Sequence, residues 1–420
     1  MLFQFGVRSS LLLLFVVPGL AATGWLLSRA LRRSTPADAL LALLILLPTL
    51  LVAHWMLGYA GWYDSHDGYS TFMFYVPWHV GLALGPAYYL YFRSLTNQEF
   101  AERWGRHLWP GLAQAALWPV AALYDLLWYR GWLGRPLPAH FGTQGPLSKL
   151  LDSDWLTLAF AWLGHALLLA YGLRMLADYR RYRRYLNDNF SDPERLRFAG
   201  LRQLLLLQLA LLAVSLLFSG LDAVYDFSYD AAWYFYALYG ILIYGLIVVG
   251  IEANYAAATS PLRFEASAPA SVFALPLAPA AAGAVAVGEE AAAGASPALA
   301  APAGLPPELE PLRAKLLGLM EAERPWLEPE LTLAELAQRL RTNPGLLSKT
   351  INQGCGQNFN DFVNGYRVAE ARRKLADPHY AHYSLVGVAL ESGFNSKSTF
   401  NRVFRKLAGQ APGEVARPKL

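Results

Sequence analysis

The chain has 420 residues, of which 55% are hydrophobic and only 16% are charged, and its formal net charge is +4. This composition is too apolar for an ordinary soluble globular protein and indicates a protein with a large membrane-embedded part. The single cysteine, Cys355, excludes an intramolecular disulfide.

The apolar excess lies in the first 255 residues. A helix of about 20 apolar residues crosses a bilayer, and seven stretches approach that length. They lie near residues 5–28, 38–60, 74–94, 108–129, 154–174, 201–221 and 232–253. The first stretch continues past Pro18 to Leu27, which favours a retained helix over a cleaved signal peptide.

The basic residues predict the orientation of these spans, because lysine and arginine concentrate in cytoplasmic loops. The loops after the first, third and fifth stretches carry most of them, including Arg32, Arg103 and Arg184. The loops after the second and sixth stretches carry acids such as Asp64 and Asp226. We therefore expect the amino terminus outside, and seven spans then place the carboxyl end in the cytoplasm.

After the spans, residues 256–306 are rich in alanine, proline and glycine and predict a disordered linker. A flexible chain of about 50 residues has an end-to-end distance on the order of 40 Å. From Pro307 to Leu327, leucines at helical spacing predict one further helix.

Two helix-turn-helix patterns follow, near residues 331–353 and 384–407. In the first, Pro344 suits the first turn of the second helix, where no backbone donor is needed. In the second, Gly393 ends the supporting helix and Asn395-Ser396 caps the next one. These patterns predict a DNA-binding domain.

A continuous helix from about Asn358 to Ala376 connects the two patterns, with Phe359, Phe362, Val363, Tyr366 and Ala369 on one face. Its length of about 28 Å can hold two recognition helices about one DNA turn apart. The outward residues of the second recognition helix suit base edges, since arginine and lysine donate to guanine and asparagine pairs with adenine. These residues are Lys397, Ser398, Asn401 and Arg402.

Several motifs occur in order along this region: Leu331-Thr-Leu-Ala-Glu-Leu-Ala337, Leu347-Ser-Lys, Asn364-Gly-Tyr-Arg367, Gly393-Phe-Asn-Ser-Lys-Ser-Thr-Phe400 and Phe404-Arg-Lys. With these motifs residues 307–420 resemble the DNA-binding domain of the AraC/XylS family of bacterial transcription regulators. The spans and the linker make the whole chain similar to the membrane-bound branch of that family. One departure is Val415-Ala416-Arg417, where the family usually has an aromatic residue before the arginine.

The resemblance implies a set of DNA-binding residues: Gly345, Ser348, Lys349, Asn352, Lys397, Ser398, Asn401, Arg402 and Arg405. By this correspondence Ser348 and Lys349 read bases, while Asn352 and Arg405 lie nearer the phosphate backbone. Gly345 stands where family members often carry a larger base-contacting side chain. Basic residues outnumber acidic ones from Leu331 onward, which favours phosphate contact.

Polar side chains inside apolar spans are costly and invite a functional interpretation. His54, His79, Asp125 and Asp222 fall in the predicted outer halves or ends of spans and are candidates for sensing a ligand. The alternative is that each satisfies a hydrogen bond between helices or reaches outward to water. The spacing of the histidines contains no metal-ligand motif, so no metal site and no cofactor are expected.

Together these patterns predict an all-α chain with a seven-helix membrane domain (1–255), a linker (256–306) and a DNA-binding domain (307–420). The predicted function is a regulator in the bacterial inner membrane that couples an external signal to transcription, and not an enzyme. The expected partners are double-stranded DNA, membrane lipid, RNA polymerase and a second copy of the chain, with the signal unidentified. The rival prediction is a membrane transporter or channel with an accessory DNA-binding tail.

Overall fold

The computed structural model describes residues 4–33, 36–96, 104–193, 199–252 and 306–415. Every regular element among these residues is helical, which confirms the predicted all-α fold. The predicted linker lies outside the described residues, except for Pro306.

The chain divides into two compact units. The first comprises Met1–Tyr179 and Phe198–Ser267, and the second comprises Arg180–Arg197 and Ala268–Leu420. Residues 154–174, the fifth predicted span, lie in the first unit, whereas the end of the same helix and the residues up to Arg197 belong to the second unit.

The first unit contains nine of the described helices, one of which, α7, continues into the second unit. They are α1 (Val7–Arg33), α2 (Pro36–Tyr59), α3 (Gly68–Met73), α4 (Leu84–Thr96), α5 (Gly105–Ala122), α6 (Pro146–Leu151), α7 (Asp154–Asn189), α8 (Ala199–Tyr225) and α9 (Tyr229–Glu252). Short 3₁₀ turns occur at Tyr63–Ser65, Gly81–Ala83 and His140–Gly142, and a π-helical segment at Leu123–Trp132 continues α5.

Five helices are long and apolar enough to cross a membrane: Val7–Arg32, Pro36–Ser65, Asp154–Asn189, Leu201–Tyr225 and Tyr229–Gly250. They coincide with the first, second, fifth, sixth and seventh predicted spans. The third predicted span differs, because residues 74–80 are not helical. Pro77 lacks a backbone donor and disfavours a helical conformation at the residue before it. Pro86 also lacks a backbone donor and suits the first turn of a helix, and α4 begins at Leu84.

Helices α4 and α5 lie along the apolar part of α7. The missing side chain of Gly85 lets α4 approach the α7 backbone, since an added Cβ would lie 2.9 Å from the carbonyl oxygen of Leu167. Further along, the Tyr89 hydroxyl donates to Asp178 (3.1 Å) and accepts from the Nε of Arg174 (3.0 Å).

Helix α5 contacts α7 or the residues just before it at two places. Near the start of α5, the Nδ1 of His107 lies 3.1 Å from the Tyr171 hydroxyl of α7. Near its end, Trp118 packs in a buried cluster with Leu151, just before α7 begins. From Asp154 to Arg174, α7 rises by about 30 Å, the thickness of a bilayer core.

Among the described residues, the second unit contains the end of α7 and six more α-helices. They are α10 (Glu310–Glu323), α11 (Leu333–Arg339), α12 (Pro344–Gly354), α13 (Phe359–Ala376), α14 (Leu385–Glu391) and α15 (Lys397–Ala408). Helix α10 corresponds to the helix predicted between Pro307 and Leu327, and it buries Leu316 and Met320.

Helix α13 contributes to two separate cores. Its first half places Phe359, Phe362 and Val363 against α10, α11 and α12. Its second half places Val368, Ala371 and Leu375 against α14 and α15. Because the buried face turns between the two cores, Ala369 is exposed, and its predicted place on the apolar face is wrong. One rigid helix therefore supports both helix-turn-helix units.

Candidate nucleic-acid interface

Side-chain caps position both helix-turn-helix units. The Thr332 side chain accepts from the backbone of Glu335, whose carboxylate accepts from the backbone of Thr332 (2.8 Å), and this reciprocal pair begins α11. The Asn343 side chain accepts from the backbone of Leu346 at the start of α12, and the Ser396 side chain accepts from the backbone of Thr399 at the start of α15. Each cap satisfies backbone donors that a helix start leaves without partners, so the sequence determines where each helix begins.

The two recognition helices each have one buried and one exposed side. Helix α12 buries Leu347, Thr350, Ile351 and Gly354. Helix α15 buries Thr399, Phe400, Val403 and Phe404. The predicted DNA-binding residues lie on the other side of each helix, which we call the recognition faces. Gly345, Lys349, Asn352, Lys397, Ser398, Arg402 and Arg405 are exposed, and Ser348 and Asn401 are half-buried.

The recognition faces carry donors suited to DNA. Lys349, Lys397, Arg402 and Arg405 supply positive charge, and charge-assisted bonds to phosphate or to guanine need such groups. Asn352 donates to the Ser348 hydroxyl (3.3 Å), so these two side chains share one polar patch on α12. Lys406, next to the face, instead donates to Asp361 of α13 (2.7 Å).

The turn of the second unit depends on Gly393. Its φ of +84° lies in the left-handed region, and an added Cβ would lie 2.4 Å from the carbonyl oxygen of Trp326. Only glycine combines this conformation with so close an approach. The predicted role of Gly393 at the end of the supporting helix is therefore explained by its backbone.

The adjacent Arg367 side chain is almost fully buried and organises several backbone carbonyls. Its Nε donates to the carbonyl of Trp326 (2.8 Å), and its Nη2 donates to the carbonyl of Glu328 (2.7 Å). Burial lowers the pKa of the Arg367 guanidinium to about 10, and the nearby Asp192 carboxylate opposes this shift. Arg367 thus stabilises the domain interior and is not available to DNA.

The segment after α7 packs on the helix-turn-helix domain, and we call residues 190–192 the strap. The Ser191 carbonyl accepts from the Asn360 side chain (2.7 Å), and the Ser191 hydroxyl accepts from Arg367 (3.1 Å). The Ser191 amide donates to the Leu331 carbonyl (3.2 Å), next to the start of α11. The Asn395 side chain, next to the cap of α15, donates to Asp192 (3.0 Å). The strap therefore contacts both helix-turn-helix units and the helix that connects them.

Two of the predicted sensing residues meet at a cavity in the first unit. The rings of His54 and His79 are 4.9 Å apart, and both line a cavity of about 500 Å³. Its lining includes Trp78, Trp118, Asp152 and Tyr229. Burial raises the pKa of the Asp152 carboxyl to about 6, although a hydrogen bond from Gln144 opposes this shift. The cavity therefore combines aromatic faces with groups that can bear charge.

The other two predicted sensing residues have local structural roles. Asp125 is buried and accepts from the backbone amides of Leu147 (3.0 Å) and Ser148 (2.9 Å), so it caps the start of α6. Asp222 accepts from the amide of Phe227 (3.1 Å) and closes the turn between α8 and α9. Neither residue lines the cavity of His54 and His79.

The contacts of Ser191 and Asp192 were not predicted from the sequence. Ser191 and Asp192 are followed by Pro193 in a polar segment, and such a segment is common at the end of a helix. The residues they contact lie about 140 to 200 positions further along the chain, and a pattern of neighbouring residues cannot predict such contacts.

Comparison with known proteins locates one similarity, in the C-terminal part of the chain. Residues 336–418 match the model of a helix-turn-helix domain family. The HTH-type transcriptional regulator YtdP of Bacillus subtilis (strain 168) is 35% identical over 92 residues, which are 22% of this chain and 12% of that protein. An HTH-type transcriptional regulator of Staphylococcus aureus (strain COL) is 30% identical over 83 residues, 20% of this chain and 11% of that protein.

The similarity thus spans only about an eighth of the length of these relatives. No solved structure matches the chain. The matched residues contain α12 to α15 with both recognition faces. The C-terminal part of the chain is therefore an AraC-type helix-turn-helix domain, similar to parts of HTH-type transcriptional regulators.

Proposed function

We propose that this chain is a membrane-anchored, sequence-specific DNA-binding regulator that couples an external signal to transcription. The observation that carries the proposal is the pair of capped recognition helices, whose exposed sides carry basic and amide side chains. On this proposal Ser348, Lys349, Lys397, Ser398, Asn401 and Arg402 contact bases. Gly345 allows close approach, and Asn352 and Arg405 contact the phosphate backbone.

The same proposal assigns the first unit to the bacterial inner membrane, with the amino terminus outside. Five helices support it by length and composition. The α4–α5 pair supports two further crossings, because Trp118 of α5 packs near the start of α7 and Tyr89 of α4 contacts Arg174 about 30 Å further along that helix. Either five or seven crossings place the helix-turn-helix domain on the opposite side from an external amino terminus.

The signal would reach the DNA-binding domain through α7. Helix α7 is continuous from Asp154 to Asn189 and is followed at once by the strap. A helix transmits displacement along its axis, whereas a flexible linker of about 50 residues transmits it poorly. The strap contacts both helix-turn-helix units, so a shift of α7 would alter the spacing of the recognition helices. The partners expected for output are RNA polymerase and a second copy of the chain.

The rival function is a transporter or channel with an accessory DNA-binding tail, and the cavity at His54 and His79 is the feature it would use. Deletion of residues 307–420 separates the two. A regulator loses all effect on transcript levels, whereas a transporter retains the uptake or export phenotype of the full chain. The matched control is the full chain with Lys397→Ala and Arg402→Ala, which leaves the membrane unit complete. Transcript changes that persist in both variants would contradict the proposed function.

A further inference from the structure

Three potential metal ligands meet in the first unit, away from the recognition faces. They are Asp64 and His66, in the turn that follows α2, and His140, in the loop that precedes α6. One ligand atom from each lies within 4.8 Å of the others. Tetrahedral zinc with bonds of about 2.0–2.1 Å needs ligand atoms about 3.4 Å apart. The three side chains therefore need only small movements to share one ion.

Hydrogen bonding prepares His140 for this role. Its Nε2 lies 2.8 Å from the backbone carbonyl oxygen of Tyr63. A carbonyl oxygen only accepts, so Nε2 carries the proton and Nδ1 presents its lone pair. Histidines that bind metals in proteins typically donate their other nitrogen to a carbonyl or carboxylate in this way, which fixes both the ring and the tautomer.

Ring packing and backbone geometry also hold the two imidazoles. The His66 ring lies 4.1 Å from the ring of Phe141, and the His140 ring lies 4.9 Å from that of Phe74. His66 and His140 have φ values of 53° and 44°, in the left-handed region that residues with side chains seldom adopt. Such conformations are concentrated at ligand sites, where the surrounding contacts impose them.

We propose that Asp64, His66 and His140 bind a divalent transition metal ion, with Zn²⁺ as the best match to two imidazoles and one carboxylate. The three ligands leave one tetrahedral position for water or a fourth ligand. The ion would join the loop after α2 to the loop before α6. Asp64 also lines the cavity of His54 and His79, so the ion would neutralise an acid at the edge of that cavity. The site does not depend on the proposed regulation of transcription.

Zinc binding to the purified full chain in detergent tests this site. Isothermal titration with ZnCl₂ should give one ion per chain. The variants His66→Ala and Asp64→Asn should each weaken binding by at least about tenfold, since even loss of a ligand-orienting partner typically costs about 10–100-fold. Asp64→Asn keeps the size of the side chain, so it distinguishes loss of a ligand from loss of folding.

The matched control is His379→Ala, because His379 is an exposed histidine that lies 2.9 Å from the carboxylate of Asp377 but belongs to no group of three close metal ligands in the described part of the chain. Its zinc affinity should equal that of the unmodified chain. Titration with Co²⁺ should give tetrahedral absorption bands that disappear in His140→Ala. Equal zinc affinity in all variants, or no binding by the unmodified chain at micromolar zinc, would overturn the proposal.

Discussion

At the scale of single residues, Arg367 shows how one side chain can hold several segments together. Its guanidinium reaches the carbonyls of Trp326 and Glu328 and the hydroxyl of Ser191. A planar group with five donors can make these bonds at once, and a lysine ammonium cannot reproduce their geometry. The arginine of the Asn364-Gly-Tyr-Arg367 motif is thus required for the interior of the domain and not for base contact.

Arg402 is expected to read a base. Replacing it with alanine should weaken binding to the target site by about 1–3 kcal/mol and leave binding to unrelated DNA nearly unchanged, because a bidentate base contact is lost. Fluorescence anisotropy with target and scrambled duplexes measures both. Arg373→Ala is the control, since Arg373 is exposed on α13 and pairs with Glu370 (2.7 Å). Equal weakening on every sequence would make Arg402 a phosphate contact.

Glu370 is expected to make the stability of the second unit depend on pH. A hydrogen bond from Arg373, together with the charges of Arg373 and Lys374, lowers the pKa of its carboxyl below the usual 4.5. A lowered pKa in the folded state means that the stabilisation is complete above pH 4.5 and is lost as the pH falls through the folded-state pKa. Glu370→Gln should therefore flatten the pH dependence of unfolding between about pH 5 and pH 3.

Hydrogen exchange of the α13 amides in the full chain follows this unfolding. The control is Glu391→Gln, because the Glu391 carboxylate is exposed and lies 3.9 Å from Lys374. An unchanged pH profile in Glu370→Gln would show that the ion pair with Arg373 has no net effect on stability.

At the scale of elements, the strap makes a specific prediction. Asn360→Ala removes a donor to the Ser191 carbonyl, and one hydrogen bond contributes about 0.5–1.5 kcal/mol. Exchange of the Ser191 amide should accelerate by about 2–10-fold. Asn352→Ala, on the recognition face of α12, should leave that amide unchanged. Equal exchange in Asn360→Ala and in the unmodified chain would contradict docking of the strap.

The helix-turn-helix elements could be predicted from the sequence because their signals are local. Thr332, Asn343 and Ser396 each cap a helix by accepting from the backbone of the residue three positions ahead. The apolar stripe of each helix also repeats within a few residues. The recognition faces follow from the same periodicity, since they are the sides opposite the buried residues.

The strap and the zinc ligands could not be predicted because they join distant parts of the chain. Ser191 meets Arg367, and His66 meets His140, only after the helices between them have packed. The non-helical start of the third predicted span has a different cause. Its residues are apolar enough for a span, but residues 74–80 are not helical, and Pro77 within them disfavours a helical conformation at Val76.

At the scale of the whole molecule, fusions of alkaline phosphatase test the proposed orientation. A fusion after Gly61 or Asp226 should be active outside the cytoplasm, and one after Arg184 or Ala300 should be inactive, because basic loops stay inside. A fusion after Arg103 distinguishes the two counts. With seven crossings Arg103 lies in the cytoplasm and the fused phosphatase is inactive, whereas with five crossings it lies outside and the phosphatase is active. Activity after Ala300 would contradict the cytoplasmic position of the DNA-binding domain.

The signal could pass along the chain through α7 and the strap or through the linker, and these two routes predict opposite effects of a change in the linker. If the signal passes through α7 and the strap, replacing residues 280–300 with glycine and serine of equal length should leave regulation intact, whereas Asn395→Ala and Asn360→Ala together should alter it. Reporter transcription in cells measures both, with membrane fractions as the control for insertion. Loss of regulation in the linker variant alone would assign the signal to the linker.

Sequence-specific DNA binding by a membrane-embedded chain is the central claim, and DNA captured with the full chain tests it most directly. Cells expressing the chain are cross-linked, their membranes are isolated, and the co-purified DNA is sequenced. We predict a small set of discrete sites, each containing two half-sites about one helical turn apart, that disappear with Lys397→Ala and Arg402→Ala. Even coverage of the genome, or the same sites in the double variant, would contradict the claim.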